Sequence, residues 1–288
     1  MPKELLKVTN DYVFRRIFGE VGNEDITEDL IEKILNKKYK NIDLSKNPIL
    51  LPETIENKGG VLDVLIKAEE KDNINIEMQV LEYEYMAERI LEYWARKYSG
   101  EFKKGDDYSV AKKTICILIT CFEMEQIKEI EKFHTKWNIR EEEYTKIILT
   151  DKLEFHIINL KKLEKMRKNE KELINWCKFI VSPDTLEEKI MEENKSIERA
   201  KDVLDRISQD EQEREMAYRR ERAIRDQNAS IASGYNKGKA EGRIEGKKEG
   251  KEEKQKEIVV KMLEKNMAIE DIVEITGITK EEIEKLNK

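Results

Sequence analysis

NIEMQV, residues 75–80, sets an acid and an amide two positions apart in a run that otherwise has the composition of a buried strand. Successive side chains of a strand point to opposite faces. Glu77 and Gln79 therefore share one face, and Ile74, Ile76, Met78 and Val80 share the other. Upstream lies GGVLDVLIKA (59–68), separated from it by the polar EEKDN (69–73). Two short β-rich runs around such a turn predict an antiparallel hairpin. In the first run Leu62, Val64 and Ile66 share a face, and Asp63 lies on the opposite one with Val61 and Leu65. Turning the chain at EEKDN brings Asp63 near the level of Glu77 and Gln79.

Two converging carboxylates repel each other unless something neutralises them. A divalent cation does so directly. Oxygen ligands suit Mg²⁺ or Mn²⁺, which can also hold a substrate phosphate. Such a metal activates water and stabilises charge on phosphate oxygens, the chemistry of phosphodiester hydrolysis. The other reading places Asp63 and Glu77 on a solvated sheet face, and spacing alone leaves both open.

The flanking sequence supports an α/β architecture. TNDYVFRRIFG (9–19) begins with capping residues, spaces Val13, Phe14, Ile17 and Phe18 helically, and stops at Gly19. NEDITEDLIEKILN (23–36) predicts a second amphipathic helix. Residues 49–57 are strand-like. Residues 82–102 return to helical spacing through Met86, Ile90, Tyr93, Trp94 and Tyr98. KKTICILITCF (112–122) predicts a buried strand, and YTKIILT (144–150) and LEFHIINL (153–160) two more. Residues 161–181 are helical in pattern and Pro183 marks a break.

Beyond Thr185 the composition shifts. Residues 186–233 are dense in Glu, Lys and Arg, with a narrow stripe of Ile190, Ile197, Val203, Leu204 and Ile207. This predicts a long helix, either exposed or packed on a partner. Gly234, Gly238, Gly242, Gly246 and Gly250 then recur every fourth residue. In a helix each costs roughly 0.8–1 kcal/mol against Ala. The stripe reads either as a self-association surface or as a charged linker. The last thirty or so residues predict a small helical unit turning at Gly277, a packing or capping module rather than a DNA reader, because its last helix carries Glu281, Glu282 and Glu284. The expected division is 1–183, 184–255 and 256–288.

Charged residues are 41% of the chain and hydrophobic residues 39%, enough for a core beside a long solvated helical part. The net charge of −7 means that a DNA site has to be a local basic patch. Two histidines (His134, His156) and three cysteines without a CxxC pair (Cys116, Cys121, Cys177) argue against zinc and for buried thiols in a reducing cytoplasm. No signal-like segment or apolar run of membrane-spanning length occurs, which predicts a soluble, cytoplasmic protein.

The spacing Asp63–x13–Glu77–x–Gln79, on a hairpin after an N-terminal helix, resembles the core of the PD-(D/E)xK nuclease superfamily. NDYVFRRIFG, LDVLI, NIEMQV and ERILEYWARKYSGEFKKGDDY together are similar to the Rpn family of recombination-promoting nucleases, also described as transposases. The similarity covers roughly residues 8–122. It implies a restriction-endonuclease-like α/β fold with a mixed sheet flanked by helices and a long helical C-terminal tail. It further implies metal-dependent DNA cleavage in recombination or mobile-element biology, with Asp63 and Glu77 as ligands to Mg (or Mn). Gln79 takes the place of the usual motif lysine, and Leu62 stands where a proline is common. Asp11 matches a family acid that binds a second metal or orients water. Arg89, Tyr93 and Tyr98 match recurring positions, with Arg89 as a phosphate contact and Lys97 as a further candidate cation. Tyr93 and Tyr98 are expected to be core residues. The tail would assemble a homodimer with two active sites on one duplex. A catalytically weak DNA-binding or assembly protein is the alternative, and a strand-joining transposase a third reading.

Overall fold

Asn10 begins the first helix: its side-chain oxygen accepts the Tyr12 N–H, satisfying one of the helix's unpaired donors. The computed structural model describes residues 4–47, 64–68, 72–82, 84–165 and 171–286. Helix α1 (Asp11–Phe18) buries Val13, Phe14, Ile17 and Phe18. Its end is locked to α2 (Glu24–Leu35) by side chains: Asn23 donates to Ile17 O, and Thr27 donates to Phe18 O. Asn36, left-handed at φ 50°, terminates α2.

Five strands form one mixed sheet: β1 (Val64–Lys67), β2 (Asn73–Gln79), β3 (Thr114–Thr120), β4 (His134–Trp137) and β5 (Leu153–Asn159), in the order β1-β2-β3-β5-β4. The expected hairpin is present, with β1 antiparallel to β2 and Val64 paired with Ile76. Strands β2, β3 and β5 run parallel, and β4 is antiparallel to β5. The β2–β3 connection is helical, α3 (Met86–Ser99), as a parallel crossover requires. All seven residues of β3 are buried, so both faces of the sheet are covered. On one face Ile74, Ile76, Ile115, Ile117 and Ile158 join the core shared with α1, α2 and α4 (Lys171–Val181). On the other, Leu118 and Ile157 pack beneath Met86 and Ile90 of α3.

Three expectations change. YTKIILT forms no strand: Tyr144, Ile147, Ile148 and Leu149 are exposed, and only an isolated bridge joins Arg140 to Ile148. The β-branched composition is there, but the edge of β5 is already taken by β4, whose sequence HTKW has too little apolar alternation to stand out. Second, residues 186–233 are not one helix. Asn194 and Asp210 adopt extended backbone and cap new helices, giving α5 (Glu188–Glu193), α6 (Lys195–Gln209) and α7 (Glu211–Glu264). Third, the stripe expected to be exposed or packed on a partner is neither: Ile190, Ile197, Val203, Leu204 and Ile207 enter the main core of their own chain. The first compact unit accordingly runs to Asp226, and the break expected at residue 183 separates no packing units. The strand-like 49–57 and the Val61–Asp63 part of the hairpin lie outside the described residues. So do residues 166–170, between a 3-10 turn (Leu160–Lys165) and α4.

The second unit comprises residues 227–288. The five-glycine stretch is continuous helix within α7, and a Cβ at any of those glycines would meet nothing within 4 Å. Beyond α7, α8 (Ile269–Thr276) and α9 (Lys280–Leu286) fold back around Gly277, whose φ of 70° favours glycine. Val259, Ile272 and Ile283, all fully buried, form the small core of this unit. Among the described residues, no helix is long and apolar enough to cross a membrane.

Candidate active site

Alternation along β2 sends Asn75, Glu77 and Gln79 to the face covered by α3, opposite the isoleucine core. All three are buried. Their neighbours across the parallel ladder are Cys116, Leu118 and Thr120 of β3. Glu77 is therefore a carboxylate 7% exposed among mostly apolar neighbours, an environment that demands a cationic partner. Arg89, one turn into α3, supplies one: its Nη2 stands 3.4 Å from Glu77 Oε1.

Tyr93, one turn further along α3, fixes Arg89. Its hydroxyl accepts from Arg89 Nε at 2.9 Å, and its ring lies 5.3 Å from the guanidinium carbon. Tyr93 is thus a support for a site cation and not a core residue, contrary to the sequence expectation. Tyr98 is also outside the core, half-buried and stacked on Trp94 at 4.9 Å. Helical spacing identified a shared face but not its depth, because the C-terminal half of α3 extends past the apolar patch that Met86 and Ile90 cover.

Gln79 turns its amide N–H to the Leu81 carbonyl at 2.8 Å, while its own main-chain carbonyl accepts from Cys121 N–H. The amide anchors the strand end and keeps its oxygen as an acceptor. Lys97, in the last turn of α3, is exposed and makes no ion pair among the described residues. Asp63 lies outside the described residues. Val64, its neighbour in sequence, pairs with Ile76, so the last described rung of the hairpin ends one residue short of Glu77.

Asp11 sits apart from this cluster in its bonding. Both of its oxygens accept from Arg220 of α7, and Oδ1 also accepts the Tyr12 N–H. A second clamp lies beside it: Arg16 forks onto Glu213, which also accepts from the Tyr12 hydroxyl at 2.7 Å. Burial and the Glu213 carboxylate push the Tyr12 phenol well above its usual range. Arg220 is the site-region residue that sequence reasoning missed. Nothing local in a run of charged helix formers marks one arginine as the partner of an acid in the first helix. Asn75, by contrast, follows from extending the alternation of Glu77 and Gln79 by one step.

The opposite face of the sheet carries a second polar chain. His134 and His156 share a hydrogen bond of 2.8 Å between Nε2 and Nδ1, and His156 Nε2 donates to Glu154 Oε1, also at 2.8 Å. Lys113 and Lys136 complete the Glu154 shell at 2.7 and 2.9 Å. Burial alone would raise the Glu154 carboxyl, but these donors hold it far below the usual carboxylate range. Burial, helped by the charges of His156 and Lys136, lowers His134 to about 4. Burial also raises the half-buried Cys121 thiol to about 11, which removes it as a nucleophile near neutrality. Among the described residues, no three His, Cys, Asp or Glu side chains gather as a metal site.

A family model described as PD-(D/E)XK nuclease family transposase matches residues 8–234, a span that includes β1, β2, α3 and the part of α7 that holds Arg220. No curated protein and no solved structure matches the chain.

Proposed function

Because the chain belongs to the PD-(D/E)XK nuclease family transposases, we propose that it is a metal-dependent DNA endonuclease centred on Glu77. The observation that carries this reading is the buried Glu77 carboxylate on a central strand with Arg89 set beside it. In this reading Asp63, next along the chain from the Val64–Ile76 pair, stands across from Glu77, and the two acids hold Mg²⁺ or Mn²⁺. Glu77 fits that task. It presents hard oxygen donors on a central strand beside Arg89. The metal, when bound, activates water and stabilises charge on the phosphate. The chain's own residues bind and orient. Arg89, steadied by Tyr93, meets a phosphate oxygen, and Lys97 meets the backbone further along α3. Gln79 offers an acceptor oxygen beside the scissile group. Asp11 keeps a positioning part only, since Arg220 holds both of its oxygens.

Cleavage of supercoiled plasmid with Mg²⁺, Mn²⁺ or EDTA, beside Asp63→Ala, tests this directly. Metal-dependent nicking that disappears in the variant supports the nuclease and its centre. Cleavage that survives Asp63→Ala removes Asp63 from the site. No cleavage by a folded preparation favours the alternative, a DNA-binding or assembly role. That alternative has one specific observation behind it: the residue at the motif-lysine position is an uncharged amide already bonded to its own strand end. The exposed glycine stripe of α7 would serve either role as a homodimer surface, bringing two sites to one duplex.

A further inference from the structure

Trp94, Tyr98, Phe102 and Tyr108 form an unbroken aromatic series along the end of α3 and the loop that follows. Ring centroids are 4.9 Å apart for Trp94–Tyr98, 5.3 Å for Tyr98–Phe102 and 5.9 Å for Phe102–Tyr108. The first pair stacks face to face at 12°, and the other two meet edge to face. At its base the Trp94 indole N–H donates to the Thr114 carbonyl at 3.0 Å, which seats the series on the sheet. At its far end Tyr108 is 85% exposed. An aromatic series that serves a core ends in the core; this one ends in solvent.

The loop that returns Tyr108 to the series is built, not slack. Asp106 accepts the Lys103 N–H, Gly105 takes φ 95°, and Asp107 caps the Ser109 N–H. Two acids are thereby turned onto their own loop, and Glu101 pairs with Lys112 at 3.3 Å. Arg96 and Lys113 are paired with Glu92 and Glu154. Lys97, Lys103 and Lys104 make no ion pair among the described residues. On a chain of net charge −7, this stretch is a local basic patch interleaved with rings.

We propose that Tyr108, the exposed end of this ladder, stacks an unpaired base of a single-stranded DNA segment leading to the site at Glu77. The inference rests on the nuclease reading above. Unpaired bases present the π faces that exposed rings stack on, whereas a duplex buries them, and the lysines meet the phosphates between them. Position supports the link. Arg89, which touches Glu77, lies nine residues before Tyr98 on the same helix. At about 1.5 Å per residue that is roughly 14 Å, a span of a few nucleotides. The substrate class is therefore DNA with an unpaired segment beside the scissile phosphate, such as a flap, gap or melted end.

Fluorescence anisotropy of the full chain in EDTA, with labelled oligothymidylate and a duplex of equal length, tests it. Tyr108→Ala, at an exposed position, is expected to weaken oligothymidylate binding about tenfold and to leave duplex binding unchanged, while Tyr108→Trp restores it. Equal loss on both DNAs, or no loss on either, overturns the proposal; the second outcome would leave the ladder as a surface for a protein partner. Because binding is read without metal, the two readings fail separately. Ladder-dependent binding by a protein that cuts nothing sinks only the nuclease. Cutting with binding indifferent to Tyr108 sinks only the ladder.

Discussion

Arg220 closes on Asp11 across 209 residues of sequence, with Nε 2.8 and 2.9 Å from the two carboxylate oxygens and Nη2 on Oδ2. Both side chains are about one-tenth exposed. The bond makes the first turns of α7 part of the nuclease-like unit, alongside Asn10 Nδ2 donating to Ala217 O, while the Ser208 hydroxyl at the end of α6 accepts Leu6 N–H. The N-terminal helix that begins the family resemblance is therefore held by the chain's last core helix.

Removing one partner of such a pair leaves a desolvated charge. Arg220→Ala is expected to destabilise the first unit by about 3–5 kcal/mol. Arg220→Lys keeps the charge but loses the two-pronged fork, and should fall between wild type and Arg220→Ala. Urea denaturation measures both. A cost below about 1 kcal/mol for Arg220→Ala would mean that the pair behaves as a solvated surface contact.

Glu77→Gln keeps shape and hydrogen-bonding reach but removes the charge that would face a metal. Plasmid cleavage is expected to fall at least about a hundredfold. Stability should change by no more than about 1 kcal/mol, because the variant also relieves a buried carboxylate. Cleavage at the wild-type rate would place the catalytic acid elsewhere, whatever the role of Asp63.

The helical N-terminus, the hairpin, β3 and β5 were legible because each carries one dominant period bounded by caps or turns. What escaped reading depended on pairing. HTKW is a strand because the edge of β5 needed a partner, and YTKIILT is not one although its composition is better. The stripe from Ile190 to Ile207 announced that the tail packs, but an amphipathic face does not name what covers it. For the site, alternation in β2 placed Glu77 and Gln79 correctly on one face. The arginine on Asp11 and the true surroundings of Tyr93 and Tyr98 depended on depth and long-range contact, which periodicity does not encode.

His134 gives the fold a specific acid sensitivity. Burial, with the nearby charges of His156 and Lys136, lowers it to about 4 in the folded chain, while an unfolded histidine titrates near 6.5. Between those values the unfolded state binds the extra proton, so this contribution is complete above about pH 6.5 and is lost as pH falls to about 4. The lysines that share its pocket are largely neutralised by carboxylates, Lys33 by Glu172 and Asp29, Lys37 by Asp72 and Lys171 by Glu193, so burial dominates. His134→Gln should therefore flatten the stability profile in that window relative to wild type. Urea midpoints at pH 7, 5.5 and 4.5 decide it: parallel losses in both proteins would mean that His134 does not carry the slope.

Asn194 does two jobs that one substitution can separate. Its side-chain oxygen caps α6 by accepting the Ser196 and Ile197 N–H groups, and its amide donates to Asp29 Oδ2 at 2.8 Å. The same Asp29 oxygen accepts from the indole of the fully buried Trp176 at 2.7 Å, so one carboxylate joins α2, α4 and the start of α6. Asn194→Ala removes cap and bridge, at a cost of about 1–3 kcal/mol. At an ordinary helix start Asp would be as good a cap as Asn. Here Asn194→Asp places a second carboxylate against Asp29 and removes the amide donor. It should destabilise at least as much as Asn194→Ala at neutral pH. If Asn194→Asp matches wild type in urea at pH 7, the Asp29 bridge contributes nothing and only the cap matters.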